Sequence, residues 1–189
     1  HAGAAKGAEL ASKNEVRAIM KGGIHTDEFL SAIISARTLM TERRMSHAYL
    51  MDIPTYHKPI VITDAAVNIA PDLDTKADII QNAIHFWHAL FGYDHDPKVA
   101  ILAAVEMVNS KMQATLDAAA LCKMADRGQI TGGILDGPLA FDNAISKEAA
   151  DAKGLLSAVA GDPDILFPPN LESCNIMSKE LTFLANARA

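Results

Sequence analysis

Cysteine is scarce in this chain of 189 residues: Cys122 and Cys174 are the only two, and neither belongs to a CxxC pair. That excludes a disulfide framework and suggests a reducing, cytoplasmic setting. Cys122, in an Ala-rich helical run, is expected to be a small core residue. Positive charge is also short. The formal net charge is -6, so a general nucleic-acid-binding face is excluded, although a local basic pocket for phosphate groups is not. No run reaches the roughly 18 apolar residues of a membrane helix, and no signal peptide is visible. The chain opens on His1-Ala2-Gly3 without an initiator Met, which suggests a piece cut from something longer. GxSxG, Walker and HExxH patterns are missing, and Gly132-Gly133 is not a GxGxxG, so dinucleotide binding has no support.

What is present is an alternation of apolar runs and helical spacings. Residues 2–14 read as a helix, and residues 27–39 as another with Thr26 as its N-cap. Residues 47–53 and 60–63 read as two strands, joined as a hairpin through the turn between Pro54 and Pro59. Ile80, Ala83, Ile84, Trp87 and Phe91 mark the clearest helix, residues 74–91, stopped by Gly92. Residues 99–104 form a continuous apolar run suited to a buried strand. A helix over residues 112–127, a strand over 130–135, a helix over 138–153 interrupted near Ser146, a short strand over 165–167 and a last helix over 172–186 complete the pattern. Strands alternating with helices predict a layered α/β fold with a largely parallel sheet.

Ligands collect at the carboxyl ends of strands in such sheets. The polar stretches there are Asp64 to Asn68, Asp136-Gly137-Pro138, and the run from Pro168 to Asn175. Thr26 follows Gly22-Gly23 at a helix start, a place that favours an anion. Each alone has a plainer reading: a cap for Thr26, a closed turn for Asp64 and Asn68, solvated charges for Lys153 and Lys179. His85 and His88 stand three apart near His95. No further ligand is placed by the sequence, so a metal site is not expected.

Three stretches taken together are more specific. They are ITDAAVNIAPDLDTKADIIQNAI from Ile62, TLDAAALCKMADRGQITGGILDGPLAFDNAIS from Thr115, and AVAGDPDILFPPNLES from Ala158. They resemble the phosphate acetyl/butyryltransferase family, closest to its phosphate butyryltransferase branch, which includes forms fused to an enoyl-CoA hydratase domain. The resemblance spans residues 15–184. It implies that residues 1–189 are the core of a two-domain cleft enzyme, of the isocitrate and isopropylmalate dehydrogenase type, with its C-terminal part missing. It implies the reaction acyl-CoA plus phosphate to acyl phosphate plus CoA, with no metal or redox cofactor, in a cytoplasmic homodimer. Acyl-CoA and phosphate are the expected partners, with neither nucleic acid nor membrane. In the family the CoA thiolate attacks the acyl phosphate carbonyl, a carboxylate serves as base, and cationic groups hold the phosphate.

By position the resemblance assigns substrate-binding roles to Thr26, Asp64, Asp136, Asn143, Lys153, Asn175 and Lys179. The family's Ser-Arg loop and base are expected beyond residue 189, which leaves the catalytic residues unassigned. Ser31 stands where the acetyl branch carries Arg. Cys174 stands where the family has Gly, and would be strained if that position required positive φ. Two other functions compete. A metal-dependent oxidative decarboxylase of similar fold would need paired Asp ligands and an NAD loop, and neither is found. A non-catalytic CoA-binding or assembly module is the alternative.

Overall fold

The computed structural model describes residues 2–189, which fall into two compact units, one ending at Arg43 and the other running from Arg44 to Ala189. In the first, α1 (Ala2–Ser12) and α2 (Thr26–Ser35) are followed by a 3-10 turn, Arg37–Leu39. Thr26 is the first residue of α2 and not its cap. The N-cap is His25, extended at φ -64°, ψ 144°, and no side chain caps the helix. The expected single helix over residues 27–39 breaks at Ala36, whose ψ of 75° leaves the helical region. Thr38 Oγ1 donates to Ser12 Oγ at 2.8 Å, which ties the 3-10 turn to the end of α1.

The second unit holds the sheet. Its strands are β1 (Ala48–Met51), β2 (Ile60–Thr63), β3 (Lys98–Leu102), β4 (Ile134–Leu139) and β5 (Ile165–Phe167), in spatial order β1-β2-β5-β3-β4. β1 pairs antiparallel with β2, as the hairpin reading expected, and every other pairing is parallel. Alternate residues of the central strands serve two cores. Val61, Val99, Ile101, Ile165 and Phe167 face one layer, where α3 (Leu73–Phe91) and α4 (Gln113–Asp126) add Ile80, Ile84, Ala118 and Leu121. Ile60, Ile62, Ala100, Leu102 and Leu166 face the other, against α5 (Phe141–Ile145), α6 (Lys147–Ala152) and α7 (Leu171–Leu184). A sheet covered on both faces needs strands apolar on both faces, which is why these runs do not alternate with polar residues. Truncating Leu166 at the centre would cost about 2–5 kcal/mol.

Local signals set the helix ends. Asp72 accepts from Thr75 N at 2.9 Å to start α3, and Gly92, at φ 86°, ends it. Asn170 accepts from Ser173 N at 2.9 Å to start α7. Ser146 separates α5 from α6 and caps the latter by accepting from Ala149 N at 3.2 Å, at the interruption the sequence suggested. Lys76, buried in α3, holds Asp117 of α4 at 2.6 Å.

β4 differs from expectation. It begins at Ile134, four residues later than the apolar run predicts, and carries Asp136, Gly137 and Pro138 inside it. Glycine and proline signal a turn in sequence, but here they form an irregularity in a strand. Ala100 pairs with Asp136 and Leu102 with Leu139, so two steps of β3 match three of β4. Gly137 is required at that step, because a Cβ there would lie 2.6 Å from the Ile101 carbonyl oxygen. Cys174 also corrects an expectation. It is buried inside α7 and is not among the residues of positive φ, so no strain arises there.

The amino ends of the parallel strands are pinned by charge. Lys58 Nζ lies 2.8 Å from Asp162 and 2.7 Å from Asp164, and Lys98 Nζ lies 2.6 Å from Asp162. Asp164 Oδ2 also accepts from Lys98 N at 2.8 Å. Burial raises the Asp162 pKa, but the hydrogen bonds from Lys58 and Lys98 outweigh it and hold the carboxyl well below its usual range. At the same end His88 is buried, with Nδ1 2.9 Å from the Gly92 carbonyl oxygen and Nε2 2.8 Å from that of Gly132. Carbonyl oxygens only accept, so this pairing favours the ring with both nitrogens protonated. The Gly92 carbonyl lifts its pKa, burial opposes, and Gly132 and Asp96 add to the rise. Both ring nitrogens that could have bound a metal are thereby engaged. Among the described residues no three His, Cys, Asp or Glu side chains gather as a metal site.

Candidate functional site

Parallel pairing brings the carboxyl ends of β2, β5 and β3 to one edge of the sheet, and the polar stretches that follow them meet there. The chain leaves β2 into a turn organised by Asp64, which is nearly fully buried. Its Oδ1 accepts from Ala66 N and Val67 N, both at 3.0 Å, and its Oδ2 accepts from Asn68 N at 3.0 Å and Asn68 Nδ2 at 2.7 Å. Asn175, in α7, donates from Nδ2 to the Ala65 carbonyl at 3.0 Å, which ties the helix to this turn. Beside Asn175, burial pushes the Cys174 thiol up to about 12, and the Asp64 charge adds to the shift. That sulfur is a packed core atom and no nucleophile at neutral pH.

His47, just before β1, lies at the same edge because β1 runs antiparallel to β2. Its ring packs edge-on to Tyr49 with centroids 4.3 Å apart. Burial lowers its pKa, and the nearby Asp64 charge partly opposes the change. Its buried Nδ1 has no hydrogen-bond partner among the described residues.

A second group forms where β3 ends. Residues 103–112 have no helix or strand, and their far end is fixed by buried Thr115, which accepts from Asn109 N at 2.9 Å and donates to the Met112 carbonyl at 2.8 Å. Within this stretch Glu106 Oε2 accepts from Asn143 Nδ2 at 3.2 Å and from Lys153 Nζ at 3.1 Å. Lys153 also reaches Asp142 at 3.1 Å. The Lys153 hydrogen bond is the main cause that holds both Glu106 and Asp142 below the ordinary carboxylate range. In return Glu106 first, then Asp142, raises the Lys153 pKa, so the ammonium stays charged. Asn143 is fully buried, and its Oδ1 has no partner among the described residues. An amide with one end held by a carboxylate and the other unpaired is costly unless something else supplies a donor.

Alongside these groups lies an open apolar cavity of about 630 Å³, lined by Leu102, Ala103, Phe141, Pro168, Met177 and Leu181 among others. The cavity and the second group share two segments: Ala103 stands three residues before Glu106, and Phe141 two before Asn143.

The residues singled out from sequence therefore divide. Asp64 and Asn175 meet at the first turn, and Asn143 and Lys153 meet on Glu106. Lys179 is exposed one helical turn beyond Asn175, and its side chain forms no hydrogen bond or ion pair among the described residues. Asp136, expected in a loop, sits in β4, where Oδ1 accepts from Gly137 N at 2.9 Å. Thr26 belongs to the first unit, exposed at the start of α2. Glu106 is the residue the sequence reading passed over. Its signal was its place just past an apolar strand, the same kind of place that singled out Asp64.

Comparison with known proteins bears on this arrangement. The family model described as "Phosphate acetyl/butaryl transferase" matches residues 3–189. The chain belongs to this family. Similar proteins include the phosphate acetyltransferase of Rickettsia felis, 57% identical over 188 residues covering 99% of this chain and 54% of the relative. The phosphate butyryltransferase of Clostridium acetobutylicum is 42% identical over 186 residues, 98% of this chain and 61% of the relative. Among solved structures, a branched-chain phosphotransacylase from Enterococcus faecalis superposes with a TM-score of 0.86 at 30% identity, covering 97% of this chain and 65% of that one. The chain spans about half the length of the Rickettsia felis relative it matches. Its mixed α/β architecture, with a mostly parallel five-stranded sheet, is thus shared with phosphotransacylases of known structure.

Proposed function

We propose that this chain forms part of an acyltransferase that moves a short acyl group between CoA and phosphate: acyl-CoA plus phosphate to acyl phosphate plus CoA. One observation carries the reading to a site. In a family member, the two buried side-chain polar atoms left without a partner among the described residues, His47 Nδ1 and Asn143 Oδ1, belong to the carboxyl edge of the sheet. There they accompany a charged lysine and an apolar cavity. Phosphate calls for a fixed cation, and Lys153 supplies one. An acyl chain and its thioester carrier call for an apolar cavity beside that cation.

In this reading the CoA thiolate attacks the carbonyl carbon of the acyl phosphate, a tetrahedral oxyanion forms, and phosphate leaves. Donors aimed at that oxyanion lower the barrier, and holding both substrates together removes much of the entropic cost. Lys153 meets phosphate oxygens, and Asn143 and Asn175 bring amide groups to the edge. Asp64 shapes the turn, while Thr26, Asp136 and Lys179 are assigned to substrate by family position alone. The reaction treats CoA and phosphate as substrates and calls on no metal or redox cofactor. The fuller architecture proposed is a two-domain cleft of the isocitrate and isopropylmalate dehydrogenase type, in a cytoplasmic homodimer. The test is thiol release from acetyl-CoA or butyryl-CoA in the presence of phosphate, using the protein at its natural length. Phosphate-dependent release supports the proposal. CoA binding with no turnover would replace it with a non-catalytic CoA-binding module.

A further inference from the structure

We infer that Glu106 is a positioning residue, whose carboxylate oxygen, held by buried Asn143, aims the Lys153 ammonium at a phosphate group of the substrate. The inference rests on the phosphate-binding reading of Lys153 given above and adds to it a residue with no role assigned by family position.

Three segments far apart in sequence converge on one atom. Glu106 Oε2 accepts from Asn143 Nδ2, 37 residues away, and from Lys153 Nζ, 47 residues away. The two carboxylates that hold Lys153 are not equivalent. The Asp142 side chain is 57% exposed, whereas that of Glu106 is 24% exposed. Glu106 is also held from behind by an asparagine at 0% exposure, and its stretch is anchored by Thr115. Asp142 is thus the outer partner, open to exchange, and Glu106 the inner one. A lysine has a flexible four-carbon stem and a point charge, so its aim comes from what holds the nitrogen. With Glu106 in place, an incoming phosphate displaces Asp142 and meets an ammonium already at its post. With Glu106 neutral, the same charge remains but ranges over many rotamers.

A rival role runs the other way. A carboxylate beside Lys153 could simply compete with phosphate, and then its neutralisation would tighten binding. The two roles differ in sign. The experiment compares Glu106→Gln, Asp142→Asn and Lys153→Ala in the protein at its natural length, with phosphate varied in the thiol-release assay and thermal unfolding followed in parallel. Gln keeps the shape and an acceptor for Asn143, which guards against loss of fold. The expected result is a KM for phosphate raised about tenfold in Glu106→Gln, with kcat little changed and the KM for acyl-CoA unmoved. Asp142→Asn, which removes the group that phosphate displaces, should leave the phosphate KM unchanged or lower it. A phosphate KM in Glu106→Gln that is unchanged or lowered overturns the inference, as does a lower melting temperature with wild-type KM, which marks a structural role only. If Lys153→Ala raises the phosphate KM and Glu106→Gln does not, positioning alone fails. If neither does, the phosphate-binding reading falls with it.

Discussion

At the amino end of the sheet, Asp162 and Asp164 sit between Lys58 and Lys98, and His88 donates to two carbonyls. At the carboxyl end one oxygen of Glu106 serves both Asn143 and Lys153, while Asn143 Oδ1 and His47 Nδ1 have no partner among the described residues. Both ends are rich in charge, so charge does not tell them apart. Satisfaction does. A group whose bonds are complete contributes to folding and has little left for a ligand, whereas an unpaired buried group is a cost that a ligand can relieve. The comparison predicts that substitutions at the amino end lower stability and spare turnover, and that those at the carboxyl end do the reverse.

The largest effect is expected from His88→Ala. It leaves the Gly92 and Gly132 carbonyls without their ring partner, and chemical denaturation should show a loss of about 3 kcal/mol, with wild-type kinetics at temperatures where the variant is folded. A loss of turnover in the folded variant would break the division. Next comes Lys153→Ala, for which kcat/KM for phosphate should fall about 100-fold with the melting temperature unmoved. A melting temperature that drops while kinetics hold would move Lys153 to the structural side. Asp162→Asn is milder, because the carboxylate is partly exposed, and about 1 kcal/mol is expected by the same denaturation measurement.

The smallest effect is a dependence on pH. His88 has a folded pKa above the ordinary 6.5. Its contribution is complete below that ordinary value and is lost as pH rises through the raised folded value, so melting temperature should decline on the alkaline side. Asp162, with a lowered pKa, acts in the opposite direction: its contribution is present above the ordinary 3.8 and is lost as pH falls. Melting curves of the wild type and His88→Ala from about pH 6 to about pH 9 isolate the His88 contribution, because the Asp162 change lies below 3.8 and only the wild type should show the alkaline decline.

The α/β layering was legible because β2, β3 and β5 are buried on both faces, and such strands read as continuous apolar runs. The stop of α3 at Gly92 and the break at Ser146 were legible for local reasons too. β4 was misplaced because Gly137 and Pro138 carry turn chemistry, and only the approach of Ile101 from the neighbouring strand shows why glycine belongs there. Thr26 followed the rule for caps, yet the helix starts one residue earlier than that rule implies. The site was half legible. Asp64 and Asn175 could be flagged one at a time, but their junction at the Ala65 carbonyl spans 110 residues. Glu106 needed the fold even more, since its meaning comes wholly from partners on α5 and at the end of α6.

The Asp64 turn has one more consequence. Three successive backbone N–H groups, of Ala66, Val67 and Asn68, point at a single carboxylate that the chain itself provides. Such a concave row of amides is a receptacle for anions. Here the receptacle arrives already filled, so it has no open place for a second negative group. The edge of the sheet is therefore uneven along its length: a self-filled receptacle after β2, and beyond β3 a lysine shared between two carboxylates. On the proposed reading, a phosphate at this edge would find its cation at Lys153 and no vacant row of amides after β2.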